Sequence, residues 1–400
     1  MTNTTPNLIS ADHAANPHPA YAWLRENAPV HQIRFPDGFP VWLVTRYDDV
    51  VAILRDERFV KSYRNTLPPE QRAQPDPTPE VFRILNHHML STDPPDHTRL
   101  RAIVSKAFTP RMIEQLRPRI QAIADELLDA VADRGEMDLI DEYAFPLPIT
   151  VICEMIGIPP ADRDKFRQWS NILIGDEFAP QDQTAAATAF TAYLRDLVNQ
   201  RRRTPTADLI SGLIQAEEQG DRLSEGELLA MLFLLIVAGH ETTVNLIGNG
   251  MIALLQHPDQ IAKLRANPDL IKPAIEELLR FDGPVETSTF RFAREDMTFG
   301  GQQIKRGQAV LVVLTAANRD AARFTDPDVL DISRADNRHL AFGHGIHFCL
   351  GAPLARIEGQ IAIGTLLQRL PNMRLALPIH ELQWRPGLLL RGVRHLPVTF

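Results

Sequence analysis

One stretch of this chain combines residue types and spacing that could do chemistry: Ala341-Phe342-Gly343-His344-Gly345-Ile346-His347-Phe348-Cys349-Leu350-Gly351-Ala352-Pro353. Gly343 and Gly345, two apart, suit a tight turn in which the backbone takes positive φ. Cys349 follows, then Gly351 and a helical run to about Leu370. A thiolate at the start of a helix is stabilised by the N-terminal dipole and by backbone N–H donors. One anchored thiolate, framed by glycines that let backbone approach a flat ligand, is what axial haem ligation requires. No Cys-x-x-Cys-His occurs, so such a group would not be covalently attached. A lone cysteine in an apolar stretch is more often a core residue. The frame around Cys349, and the distant partners below, decide between the two.

A second stretch must position whatever the thiolate holds. Ser224-Glu225-Gly226-Glu227 is a capping box, and the run from 224 to about 257 is apolar nearly all round. A helix of that length is about 50 Å long and must cross a domain centre. In its middle sits Ala238-Gly239-His240-Glu241-Thr242-Thr243. The small pair admits a flat ligand, and Thr242 can bond back to the Ala238 carbonyl, opening the ladder. Glu241 in an apolar helix is costly unless it has a purpose. His-Glu could begin a zinc site, but position 244 is Val, not the second histidine required. Two weaker pairs complete the set. His97 and Arg101 share a helical face and can converge on carboxylates, and Glu277 and Arg280 can pair on another.

The frame Phe-Gly-x-Gly-x-His-x-Cys-x-Gly resembles, residue for residue, the haem-binding loop of the cytochrome P-450 superfamily. The resemblance covers nearly the whole chain from about residue 20. In 238–250, 283–292 and 339–356 it is closest to soluble bacterial macrolide-tailoring and related hydroxylases. It implies haem b with Cys349 as axial ligand and Phe342, Gly343, Gly351 and Ala238 close to the cofactor. His97, Arg101, Arg291, His339 and His347 would form a cationic ring for its propionates. Glu241 and Thr242 would be the acid–alcohol pair that delivers protons. Glu277 and Arg280 would lock the proximal core with Arg334, although the aromatic common three residues before that arginine is Asp331 here. Substrate contacts would come from Phe82, Leu85, Met89, Leu90, Val237, Ala238, Val285, Thr287 and Leu389.

The implied fold is mainly α: a single triangular domain over 21–400 with a small β-rich lobe, preceded by a loosely held tail over 1–20. Haem would lie between the 224–257 helix and the Cys349 helix. The implied reaction is hydroxylation or epoxidation of a medium-to-large apolar substrate (macrolide, steroid, terpenoid or fatty acid) with O2. No flavin or nicotinamide module is evident, so NAD(P)H would act through a separate ferredoxin or flavodoxin and its reductase. Lys106, Arg111 and Arg356 could dock that acidic carrier. A peroxide-driven peroxygenase and a non-catalytic haem-thiolate sensor are the alternatives. The first lacks the acid–alcohol pair in relatives of that kind; the second would need no proton relay.

Composition agrees with a globular enzyme. Hydrophobic residues make up 44% and charged ones 23%, enough to bury a large core. The net charge of −8 argues against a general nucleic-acid binder. No basic-then-apolar leader opens the chain, and the apolar run 231–238 is too short to span a bilayer. A cytoplasmic protein without a membrane anchor is expected. The two cysteines, Cys153 and Cys349, fit a reducing compartment, and Cys153 reads as core.

Alternation predicts strands at 30–33 and 41–44 around Pro36-Asp37-Gly38. The segment 63–92 reads as a long loop. From 110 to 219 the pattern is helical, broken at Gly135, 159–160, 176–183 and 204–206. The 176–183 break, around Pro180, reads as a helix–helix loop whose flanks could form a movable lid. Strand-like runs occupy 284–313, and 388–390 could re-enter the pocket.

Overall fold

Strands Val30–Arg34 and Pro40–Val44 pair antiparallel across the predicted turn, where Asp37 Oδ1 accepts the Phe39 N–H at 2.9 Å and Gly38 has φ +85°. In this computed structural model, which describes residues 6–174, 178–218 and 223–400, the hairpin joins a five-stranded sheet. Its order is Val30–Arg34, Pro40–Val44, Ala309–Val312, Arg291–Ala293, Phe59–Val60. Pro40–Val44 and Ala309–Val312 run parallel, with Trp42 opposite Val310. Period-two alternation covers both faces. Trp42, Val44, Val310 and Val312 pack with Val50, Ile53 and Phe59 on one side. Val41, Leu43, Ala309 and Leu311 pack with Tyr21 and Leu24 on the other.

The chain divides into two compact units, one of Met1–Leu67, Arg119–Phe145 and Thr242–Phe400, the other of Pro68–Pro118 and Pro146–Glu241. The first holds the sheet. It also holds a three-stranded sheet in which Pro397–Thr399 lies between Glu136–Asp138 and Arg374–Leu375. Glu136–Asp138 and the π-turn Ile140–Ala144 replace continuous helix after Gly135, because the strand's partner is the distant C-terminus. Gly250, on the long helix, has no room for a side chain: a Cβ there would lie 3.0 Å from Ile363 and 3.1 Å from Leu278. The helices Ile271–Asp282 and Ala352–Arg369 therefore press close to it.

Residues 6–20 are not the loose tail the composition suggests. Ser10 caps the helix Ala11–Ala15, and Leu8 and His13 are buried. Their anchors lie far along the chain, out of reach of local reading.

The second unit is helical. Its helices include Pro146–Ile156, Arg163–Ile174, Pro180–Arg203 and Leu209–Glu218. Edge-to-face contacts of Phe166 with Phe190 at 5.1 Å and of Phe190 with Phe233 at 5.4 Å join the second and third of these to the helix that carries Phe233. Pro180 opens a helix rather than lying within a loop, as suits proline in a first turn. Residues 176 and 177 of the expected break lie outside the described residues. In place of a continuous loop, 63–92 contains the short helices Tyr63–Thr66, Pro69–Arg72 and Glu80–Leu85.

The helix Glu225–Gln256 starts with both capping-box bonds, Ser224 N–H to Glu227 Oε2 at 2.7 Å and Glu227 N–H to Ser224 Oγ at 3.2 Å. By length and composition it could cross a membrane, yet 67% of its most apolar window is buried in the protein. That is the state of a core helix.

Candidate functional site

The Cys349 loop is fixed by its own backbone. Gly343 N–H bonds to Leu340 O at 2.8 Å and Cys349 N–H to Phe342 O at 2.9 Å. Gly343 and Gly345 have φ +71° and +76°, and a Cβ on Gly345 would stand 2.7 Å from the Leu54 carbonyl. Only glycine meets both demands at that position. Cys349 is exposed, immediately before the helix Ala352–Arg369.

Glu276 ties both ends of this loop to the helix Ile271–Asp282. Arg356 forks onto its carboxylate at 2.7 and 2.9 Å, and His339 Nε2 lies 3.0 Å away. Burial alone would raise the Glu276 carboxyl, but His339 and Arg356 outweigh it and bring it down to about 2. Two expectations are corrected here. His339 accepts the Ala341 N–H at Nδ1 and faces Glu276 at Nε2, so it belongs to this network and not to a propionate ring. Arg356 is held by Glu276 and lies 4.5 Å from the Phe342 ring centroid, so it is no free docking cation. Glu276, beside the Glu277 of the weak pair, was the residue that sequence reading passed over.

Glu277 and Arg280 are fully buried and paired at 2.8 Å through both carboxylate oxygens. Arg334 Nε reaches the same carboxylate at 3.1 and 3.2 Å. Asn337 Nδ2 and the Asp331 N–H supply two more bonds at 3.1 and 3.0 Å. Arg280 also bonds the carbonyls of Asn318 at 3.0 Å and Pro327 at 2.7 Å. The position where an aromatic residue was expected gives its backbone to Glu277, while its carboxylate faces Lys263 at 2.9 Å.

Arg291, on the central sheet, is buried, and His347 is half-buried in the Cys349 loop. In the other unit, His97 and Arg101 lie on one face of the helix Asp96–Ala107. Burial lowers the His97 pKa, and the Arg101 charge lowers it further; an imidazole N–H donor on the same helical face as the Arg101 cation suits an anionic ligand. Along the largely buried Glu225–Gln256 helix, Ala238 is exposed and Val237, Gly239 and Thr242 are half-buried, whereas Glu241 is buried. Leu85, Met89 and Thr287 are buried, Phe82, Leu90 and Val285 half-buried, and Leu389 exposed.

Glu358 is a further buried polar residue that the sequence reading did not name. It is 1% exposed within an apolar helix, and neither carboxylate oxygen has a full hydrogen bond. Burial pushes it up to about 8, which the Thr243 hydroxyl only partly offsets. A lone charged residue among Ile357, Ile361, Ala362 and Ile363 was the signal available.

An exposed cysteine on a glycine-locked loop at a helix start fits one class of cofactor, haem with an axial thiolate. Comparison with known proteins agrees. The model of the family described as cytochrome P450 matches residues 181–372. The chain is 51% identical over 401 residues to cytochrome P450 107B1 of Saccharopolyspora erythraea, covering 99% of this chain and 98% of that one. It is 50% identical over 394 residues to the vitamin D(3) 25-hydroxylase of Pseudonocardia autotrophica, covering 98% and 96%. The solved structure of myxobacterial cytochrome P450 CYP267B1 in complex with myristic acid matches with a TM-score of 0.94 at 47% identity, covering 99% of each chain. The chain belongs to the cytochrome P450 family. It is a monooxygenase that uses haem with an axial cysteine thiolate, O2 and electrons drawn from NAD(P)H through redox partners.

Proposed function

We propose that Cys349 is the axial ligand of a monooxygenase that hydroxylates or epoxidises a medium-to-large apolar substrate. One observation carries the ligand assignment. Of the two cysteines, Cys153 is fully buried, with burial pushing its thiol up to about 12, while Cys349 is accessible at a helix start with its backbone fixed. Phe342, Gly343 and Gly351 shape the loop, and Ala238 leaves room for the flat face. Arg291, Arg101, His97 and His347 are the proposed propionate partners, the arginines through charge and the histidines as hydrogen-bond donors. Bound haem supplies O2 activation, with the thiolate donating electron density that favours O–O cleavage. The purified wild type is expected to show the strongly red-shifted ferrous–carbon monoxide Soret band, and Cys349→Ser to lose it. Retention of the band in the variant would overturn the assignment.

Glu241 and Thr242 hold and pass the protons that the reaction consumes, at the carboxylate and at Oγ1. The Glu241 carboxyl is buried inside an apolar helix, where such a group is more often functional than structural. Thr242→Ala is expected to keep consuming NAD(P)H while product per electron falls at least about tenfold and peroxide release rises. Unchanged coupling would remove Thr242 from the mechanism.

The substrate class is macrolide, steroid, terpenoid or fatty acid. Vitamin D3 and myristic acid, named for two relatives, are both long and apolar. Phe82, Leu85, Met89, Leu90, Val237, Val285, Thr287 and Leu389 are the proposed contacts. Electrons come from a ferredoxin or flavodoxin with its reductase in the cytoplasm. The exposed Lys106 and Arg111 are the cations proposed to meet that carrier.

A further inference from the structure

Glu286 is 2% exposed in an extended stretch tied on both edges. Its N–H bonds to Leu389 O at 2.9 Å, and its carbonyl accepts the Leu314 N–H at 2.8 Å. Val285 bridges Leu390, and Thr287 bridges Val313. Extended backbone sends the side chains of Val285 and Thr287 to the face opposite that of Glu286. The Glu286 carboxylate turns instead to the N-terminal segment. Oε1 accepts the Tyr21 hydroxyl and lies 3.2 Å from His13 Nε2. The His13 and Tyr21 rings meet edge-on at 5.1 Å, both buried.

A second anchor stands four residues earlier. Asp282 Oδ1 accepts Arg391 Nε–H at 2.6 Å and lies 3.5 Å from His18 Nε2. Arg391 donates on to Ala14 O at 2.7 Å, and its own N–H bonds to Pro284 O at 3.0 Å. The N-terminal segment is thus fastened at two buried points to the backbones of 282–287 and 389–391. A buried carboxylate is costly unless its bonds are directional and complete, and an apolar residue would have filled the same space. Directional bonds do what packing does not: they fix the register and tilt of the strand that carries them.

We propose that Glu286 is a positioning residue which, through Tyr21 and His13, sets the place of Val285 and Thr287 and so determines which apolar substrates fit. The inference rests on the reading of those two residues as substrate contacts. The N-terminal segment then acts as part of the specificity apparatus.

The test uses the haem-loaded full chain and two iron-binding probes read by the Soret shift, imidazole and 4-phenylimidazole, with amide hydrogen exchange over 284–289 alongside. Imidazole reaches little beyond the iron, whereas the phenyl arm reports on the cavity wall. Glu286→Ala is expected to raise the 4-phenylimidazole Kd about tenfold, or about 1.4 kcal/mol, to speed exchange over 284–289 and to leave imidazole binding unchanged. Glu286→Gln, which can still accept from Tyr21, is expected to recover most of the affinity. Tyr143→Phe, which loses a buried bond to Ala362 O at 3.0 Å elsewhere in the same unit, controls for lost stability and should not move the phenyl probe.

Val285→Phe separates the two ideas. If it raises the 4-phenylimidazole Kd while Glu286→Ala does not, the wall stands and the positioning role is wrong. If it changes neither probe, the wall reading fails and the inference falls with it. An equal effect of Tyr143→Phe would also overturn the positioning role.

Discussion

Glu277→Ala is expected to cost about 3–5 kcal/mol of unfolding free energy. The reason is what the carboxylate leaves behind. Arg280 is fully buried and Arg334 nearly so, and both spend their charge on this group. The Asp331 N–H and Asn337 Nδ2 would also lose their acceptor. Removing one partner of a buried pair strands the other, and here it strands two cations. Breaking the exposed Lys263–Asp331 pair nearby by Lys263→Ala should cost at most about 1 kcal/mol. Urea unfolding of both variants makes the comparison. A Glu277→Ala midpoint as close to wild type as that of Lys263→Ala would show that this knot does not hold the unit together. Because Asn337 leads directly into the segment that ends at Cys349, haem retention should fall with stability in Glu277→Ala.

What could be read before the fold was known divides by range. The Cys349 loop was legible because its demands are local: two glycines at positive φ, a cysteine and a helix start. The Ser224–Glu227 box and the Asp37-Gly38 turn are local in the same way, and both form. Arg334 could be named only through the resemblance, since nothing local ties it to Glu277, 57 residues away.

His339 shows the opposite case. A histidine beside a cofactor loop has the right type for a propionate, but its partner was decided by Glu276 on another helix. The same carboxylate took Arg356 out of the proposed docking set. The N-terminus misled for a related reason. Polar residues such as His13 and His18 suggest a solvated tail, and only Glu286 and Asp282, more than 260 residues later, turn them into anchors. The parallel pairing of Pro40–Val44 with Ala309–Val312 is equally remote. Periodicity tells which residues prefer the interior; it does not tell which distant polar group will meet them there.

Glu358→Gln is expected to make the protein more stable than wild type at alkaline pH, and the sign follows from the direction in which burial moves the carboxyl. Its ordinary value of 4.5 is raised to about 8 in the folded chain. Between those values the folded state holds a proton that the unfolded state has released, so wild-type stability falls as pH rises through the window. Below 4.5 both states are protonated and the residue contributes no pH dependence. Above about 8 the full penalty applies, on the order of 5 kcal/mol. Glutamine stays neutral throughout and removes the slope. Glu276 acts in the other direction: its value is lowered from 4.5 to about 2, so its contribution is present above 4.5 and lost as pH falls toward 2. Of the two, Glu276 opposes strong acid and Glu358 opposes alkali, so Glu358→Gln should move the stability profile toward higher pH. Urea midpoints of both proteins from about pH 5 to about pH 9 decide the matter. The difference between them should widen steadily across that range, and parallel curves would mean that Glu358 is paired or solvated in the folded protein.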